Sequence, residues 1–288
     1  DFAYEKKGLF EYFLTKEKAA HGHELVEKAV SLGLDTVFMH ADDVRALEPQ
    51  TRINLEGAVL FRGDAHLYPN KLMKNLLEWM KGNGVMLVPK SPVTGFEKNG
   101  KQIKSVITAQ SRYDADLVII ATGSWSREVA AMLNTKLPLM PGRGYSVTLE
   151  NSPYKLIHPA ILVEGRVAVT PMDGNKIRFG GTMEITSTDK PPQMSRVRGI
   201  LDAVKKFLPD FDVPMPSEKD IWYGYRPCSP DGLPYIGRTK SVSNCIVASG
   251  HAMIGLSLGA GTGLLVSQLA NEQQPEMDLR PFDVGRFD

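Results

Sequence analysis

Apolar and polar positions along the chain switch between two periods, and the switches mark the elements. Residues 8–14 (GLFEYFL) read as a short strand. Residues 17–33 then place Leu25, Val26, Ala29 and Val30 at helical spacing, and Gly33 supplies the stop. Residues 41–48 predict a short helix ended by Pro49, and 57–61 a strand. Pro69 opens an amphipathic helix to about Lys81, with Leu72, Met73, Leu76, Leu77 and Met80 on one face. Residues 85–88, 93–97 and 103–109 are short strand candidates, the last two joined by Asn99-Gly100 as a hairpin turn.

The run 116–121 (DLVIIA) differs: it is unbroken and apolar, as expected of a strand buried on both faces of a parallel sheet. Residues 137–149, 161–170 and 175–180 read as longer antiparallel strands, with Asp173-Gly174 as a turn. Residues 193–207 predict a helix closed by Pro209. Residues 221–226 and 245–248 predict strands, and 255–270 a glycine-rich helix ending near Asn271. The middle of the chain is thus antiparallel, while 116–121 and 245–248 belong to another sheet. The expected fold is α/β with α+β character: a large mixed or antiparallel sheet with flanking helices, plus part of a Rossmann-like domain. Residues 1–115 and 137–240 are assigned to the large sheet's domain. Residues 116–136 cross into the nucleotide-binding domain, and 241–288 complete it.

Bulk properties narrow the classes. The chain has 288 residues, 42% of them hydrophobic, enough for one large domain or two intimate ones. Thirty-four basic and 33 acidic residues leave a net charge of +1, which argues against a nucleic-acid partner. Two cysteines, Cys228 and Cys245, are too few for a disulfide framework. No run of 18 apolar residues occurs, so no membrane span is expected; the longest apolar stretch, 252–266, is softened by glycine. The N-terminus has no signal-peptide pattern and opens on Asp1, which reads as a cut or processed chain. The histidines show no zinc-ligand spacing, and no metal site is expected.

Three segments carry chemistry. In residues 116–126 a buried strand ends in Ala121-Thr122-Gly123, where glycine lets a ligand approach backbone closely. A tight turn without a ligand would read the same way. In 222–237 (WYGYRPCSPDGLPYIG), Arg226 sits at a strand end among Trp222, Tyr223 and Tyr225. A guanidinium so placed can grip a carboxylate in bidentate fashion, or form an internal ion pair. Pro230-Asp231-Gly232 reads as a turn without chemistry. In 244–270 a strand leads through Gly250-His251 into a helix bearing Gly255, Gly259, Gly261 and Gly263. Each interior glycine costs about 1 kcal/mol relative to alanine, so close packing on backbone or on a flat ligand is called for. The helix N-terminus would stabilise an electron-rich group near residues 252–255.

Taken together, these segments resemble the D-amino-acid oxidase superfamily of flavoproteins, nearest to its bacterial D-amino-acid dehydrogenase small-subunit and glycine oxidase branch. Ala121, Gly123, Trp125 and Ser126 match an Ala-x-Gly-x-Trp-Ser strand end. Pro141 to Tyr145 match Pro-x-x-Gly-Tyr, and Gly180 to Glu184 match Gly-Gly-Thr-x-Glu. Arg226 to Gly237 match Arg-Pro-x-x-Pro-Asp-Gly-x-Pro-x-Ile-Gly at every fixed position, and Gly250-His251 opens the glycine-rich helix. The family's N-terminal Gly-x-Gly-x-x-Gly unit, which holds the FAD pyrophosphate, has no counterpart in this chain.

The resemblance implies an FAD-dependent enzyme that oxidises the C–N bond of an amino acid, a D-amino acid first of all. Hydride passes to flavin N5, and the imine hydrolyses to a 2-oxo acid and ammonia. Arg226 would bind the substrate carboxylate, with Tyr145, Tyr223 and Tyr225 as pocket walls. Thr122, Gly123 and Trp125 would touch the cofactor from one crossing. Gly250, His251, Ala252, Met253, Ile254, Gly255 and Leu256 would touch it from the other. No side chain is assigned as a general acid or base. Glycine, N-methylglycine, hydroxyproline or another secondary amine are alternative substrates. A non-catalytic subunit, or a fragment unable to hold FAD alone, is the alternative of another class. The compartment expected is the cytoplasm, with peripheral attachment to the inner membrane and an oligomeric or respiratory-chain partner left open.

Overall fold

The computed structural model describes residues 1–288. The chain begins with β1 (Leu9–Phe13), α1 (Lys16–Ser31), β2 (Thr36–His40), α2 (Ala41–Leu47), β3 (Gly57–Phe61) and α3 (Pro69–Gly82). A meander follows, β4 (Val93–Asn99), β5 (Gln102–Thr108) and β6 (Arg112–Asp114), and then β7 (Val118–Ile120) and α4 (Ser126–Ala131). The second half carries β8 (Met140–Leu149), β9 (Ala160–Leu162), β10 (Val167–Met172), β11 (Lys176–Ile185) and α5 (Met194–Phe207). It ends with β12 (Trp222–Cys228), β13 (Tyr235–Arg238), β14 (Cys245–Ser249) and α6 (Gly255–Ala270). The large mixed sheet has the order β12-β8-β11-β10-β9-β1-β3-β2, with β13-β14-β7 and β4-β5-β6 as two smaller sheets.

Two compact units share the chain. The first comprises Asp1–Leu87, Gly144–Thr182 and Pro191–Tyr223; the second comprises Val88–Arg143, Met183–Lys190 and Gly224–Asp288. In the first unit α5 buries Val197, Ile200, Ala203, Val204 and Phe207, an i, i+3, i+4 stripe, among Phe10, Val169 and Phe179. Helix α1 is capped by Thr15, whose hydroxyl accepts from Lys18 N–H at 3.3 Å. It also presses Gly22 so close to Phe13 that a Cβ there would sit 2.7 Å from the ring. Buried Glu48 accepts the N–H groups of Ile157 and His158, at 2.9 and 2.8 Å, and pins that loop.

In the second unit β7 and β14 run parallel, Val118 opposite Cys245, and pack Ile120, Tyr235, Cys245 and Val247 against Ala130, Leu133 and Leu139. Residues 88–115, grouped by the sequence reading with the large sheet, fall in this unit. The reason is Asn244, a buried amide that accepts from Ile103 N–H at 2.8 Å and donates to Ile103 O and Asp116 O, at 2.8 and 2.9 Å. The side chain thereby extends the hydrogen bonding of the meander onto β14.

Several elements depart from the pattern reading. Residues 85–88 form no strand; Val85 N–H instead closes on Met80 O at 3.0 Å, and Val85, Met86 and Val88 lie exposed. An apolar run becomes a strand only where a neighbour satisfies its backbone, and none pairs with this one. Residues 161–170 are two strands folded as a β9–β10 hairpin, with Arg166 at φ +51° in the turn. The run 116–121 is buried on one face only: Ile120 is 2% exposed, while Ile119 on the opposite face is 45% exposed. Strands β2, β6 and β13 have too little alternation to stand out, and pairing alone defines them. Helix α6, with Ala252–Ile254, is long and apolar enough to cross a membrane by length and composition. It packs on β13 and β14, and Arg238 donates to its Leu269 O at 2.8 Å.

Candidate active site

Two turns leave the same end of a parallel strand pair. After β7 the chain passes through Thr122 and Gly123, the latter at φ +56°, into a single 3-10 turn and α4. After β14 it passes through Gly250, at φ +90°, and His251 into a second 3-10 turn and α6. Both glycines adopt the left-handed backbone that a side chain resists. The carboxyl end of parallel strands is where ligands bind on open α/β sheets.

The third segment reaches these turns through β12. Cys228 forms an antiparallel bridge with His251, which docks the end of the Arg226 strand on the second turn. Tyr225 meets Trp125 of the first turn edge-on, with ring centroids 6.2 Å apart. The second unit therefore brings together Thr122, Gly123, Trp125, Tyr225, Arg226, Gly250 and His251 from three distant stretches of sequence.

Arg226 is half-buried, and burial lowers its pKa. Burial likewise raises the Cys228 thiol, with the Arg226 charge opposing. A desolvated guanidinium is a strong partner for a carboxylate, since little water must be stripped from it on binding. Alternation along the strand sends Tyr225 to the other face, where its hydroxyl donates to Thr188 O at 2.9 Å. The Arg143 guanidinium stands over the Tyr225 ring, 6.0 Å from its centroid. Arg143 is wholly buried, donating to Glu184 at 3.2 Å and to Lys190 O at 2.7 Å, and so anchors the segment that receives Tyr225. Tyr225 is thereby held between the 183–190 segment and Trp125.

The remaining tyrosines take their places in the first unit. Tyr145 is 1% exposed, and its hydroxyl accepts from Gln193 N–H at 3.0 Å. It is a core residue, because β8 turns it toward Val147, Phe179 and α5. Tyr223 packs beside it at 6.3 Å between ring centroids. Tyr145 thus lies in the core of the first unit, while Tyr223 is 39% exposed.

The second turn is open. Ala252 takes φ +46°, and Met253, Ile254 and Leu256 are exposed around Gly255. No side chain caps the start of α6. A Cβ built on Gly259, Gly261 or Gly263 meets nothing within 4 Å. These glycines do not pack on the rest of the chain; they lie on an exposed face of α6. A flat apolar ring with an electron-rich edge fits this surface: apolar side chains beside it, a smooth helix flank, and the positive end of a helix dipole. The expected flavin is such a group. His251 lies within 2.9 Å of Thr262 Oγ1 through Nε2, and burial lowers its pKa.

Sequence reading missed the contacts that hold this site. Asp231, read as a turn residue, binds Arg286 through both oxygens, at 2.8 and 2.9 Å. Ser126 and Ser249 join the two turns through their hydroxyls, 2.9 Å apart. A small hydroxyl residue after each strand is the only local signal, and it is a weak one.

Comparison with known proteins places the whole chain. A D-amino-acid oxidase of Bradyrhizobium diazoefficiens is 30% identical over 258 residues, covering 89% of this chain and 61% of that protein. A hydrogen cyanide synthase subunit of Pseudomonas aeruginosa is 28% identical, covering 100% of this chain and 68% of that protein. The crystal structure of glycine oxidase from Geobacillus kaustophilus superposes with a TM-score of 0.89 at 25% identity, covering 100% of this chain and 77% of that one. The chain thus spans roughly two thirds of the length of the curated relatives it matches. Residues 1–269 match the family described as FAD dependent oxidoreductase, and the chain belongs to that family.

Proposed function

We propose that the protein containing this chain oxidises the C–N bond of a small amino acid, a D-amino acid first of all, to an imine that hydrolyses to a 2-oxo acid. The observation that carries the reading is the docking of the Arg226 strand on the Gly250–Leu256 turn through the Cys228–His251 bridge. It brings Arg226, read here as the group for the substrate carboxylate, near the exposed turn read as the flavin contact. FAD, when bound, supplies the two-electron acceptor. Arg226 holds the substrate carboxylate and orients the α-carbon. The start of α6 offers N–H groups to negative charge developing beside it. Thr122, Gly123 and Trp125 line the cofactor from the first turn. The exposed flank of α6 and the unpaired edge of β7 give the dinucleotide-binding part of the longer relatives a place to pack.

The likeness to a glycine oxidase supports a second reading within the same chemistry, with glycine or an N-substituted glycine as substrate. The name of the cyanide synthase relative marks that protein as a subunit, which supports assembly with a partner.

The test uses the full-length protein, mixed anaerobically with D- and L-amino acids, glycine and N-methylglycine while flavin absorbance is followed. One class should bleach the flavin. Arg226→Lys keeps the charge but loses the planar fork, and should lower kcat/KM by about 10- to 100-fold, the value of one charged hydrogen-bond pair. Bleaching with no dependence on Arg226 would remove it from substrate binding. Bound flavin that no amino acid reduces would sink the amino-acid reading.

A further inference from the structure

The two turns are tied by a run of hydroxyls whose hydrogens can be counted. Ser249 Oγ lies 3.1 Å from Gly123 O, Ser126 Oγ lies 2.9 Å from Ser249 Oγ, and Thr122 Oγ1 lies 3.1 Å from Ser126 Oγ. Ser126 and Ser249 are buried, 0% and 2% exposed, and Thr122 is exposed.

A hydroxyl has one hydrogen and two lone pairs. Gly123 O can only accept, so the Ser249 hydrogen points at it. Ser249 must then accept from Ser126, which uses the Ser126 hydrogen. The remaining contact is made with the Thr122 hydrogen. The chain therefore runs one way, from Thr122 to Ser126 to Ser249 to Gly123 O. Its open end is a threonine whose hydrogen points inward and whose free lone pair faces out.

We propose that Thr122 presents a hydrogen-bond acceptor to a hydroxyl or N–H group of the FAD held at these turns, and that Ser126 and Ser249 are positioning residues that impose this polarity. The proposal rests on the FAD reading above. The relay also ties the first turn to the second, because Ser249 ends β14 while Gly123 and Ser126 follow β7. Low surrounding dielectric strengthens such a chain beyond its single bonds.

The test is FAD binding to the flavin-stripped full-length protein, read by quenching of flavin fluorescence, with the unfolding temperature measured alongside. Thr122→Ser keeps the acceptor and should bind as wild type. Thr122→Val and Ser126→Ala should each weaken binding by about 3- to 10-fold, the equivalent of one hydrogen bond. The double variant should be no weaker than the weaker single one, because both changes remove the same oriented acceptor. Thr122→Val, at an exposed position, should leave the unfolding temperature unchanged. FAD binding by Thr122→Val equal to wild type would overturn the proposal while leaving the FAD reading intact. Ser126→Ala that lowers the unfolding temperature without changing affinity would reduce the relay to a structural clasp. Wild-type protein that takes up no FAD would overturn the functional reading and the proposal together.

Discussion

Arg286 grips both carboxylate oxygens of Asp231, at 2.8 and 2.9 Å, with its guanidinium 3.9 Å from the Tyr235 ring centroid. The same guanidinium donates to Leu233 O at 2.8 Å and to Pro234 O at 3.3 Å. The C-terminal segment is thereby latched onto the loop that follows Arg226. Fork geometry, an aromatic face and backbone carbonyls all suit arginine and not lysine.

Breaking that latch should destabilise the second unit. Arg286→Lys or Asp231→Asn should lower unfolding free energy by about 1–3 kcal/mol, as measured for hydrogen bonds to charged groups. The Arg286 hydrogen bonds hold the Asp231 carboxyl down to about 2. A carboxylate whose folded pKa is depressed contributes stability above its unfolded pKa, about 3.9. That contribution is lost as pH falls through the folded value. Urea midpoints between pH 5 and pH 2 should therefore decline more steeply for wild type than for Asp231→Asn. Parallel curves would show that the pair adds nothing to stability.

Asn244 should be among the most sensitive buried positions. Replacement by Leu leaves Ile103 N–H, Ile103 O and Asp116 O without their partner. Each buried orphan costs about 1–3 kcal/mol, so a loss of several kcal/mol is expected. Amide hydrogen exchange should rise first at residues 102–108. Uniform exchange across the chain would contradict the assignment of Asn244 as the tie between meander and β14.

His251 gives a pH dependence of its own. Burial lowers its pKa, so the unfolded chain binds the proton more readily than the folded one. Stability is complete above the ordinary imidazole value of about 6.5 and falls as pH drops through the lowered folded value. Burial also lowers the pKa of His66, so wild type must be compared with His251→Gln, which removes one contribution only. The variant's unfolding temperature should vary less between pH 7.5 and pH 5. An identical profile would mean that His251 ionises freely.

Local sequence carried the two glycine turns, Arg226 and the helices α3, α5 and α6. Their signals are short-range: a buried run ending in glycine, a proline-rich string after an arginine, apolar stripes at helical spacing. The faces of β8 and β12 were not legible in this way. That Tyr145 is buried in the core while Tyr223 is 39% exposed cannot be read from their place in the sequence. Which side of β8 is buried depends on where α5 packs, and α5 is distant in sequence from that strand.

By itself the sequence determined where this chain turns, which runs can be buried, and which residue types meet a ligand, because backbone freedom and side-chain polarity are properties of single residues and their neighbours. Only the tertiary structure decided which partners they find. Ser126 meets Ser249 across 123 residues, Ile103 meets Asn244 across 141, and Asp231 meets Arg286 across 55. Such contacts form when folded strands bring distant polar groups into a space water has left, where each must bond to another or remain unsatisfied.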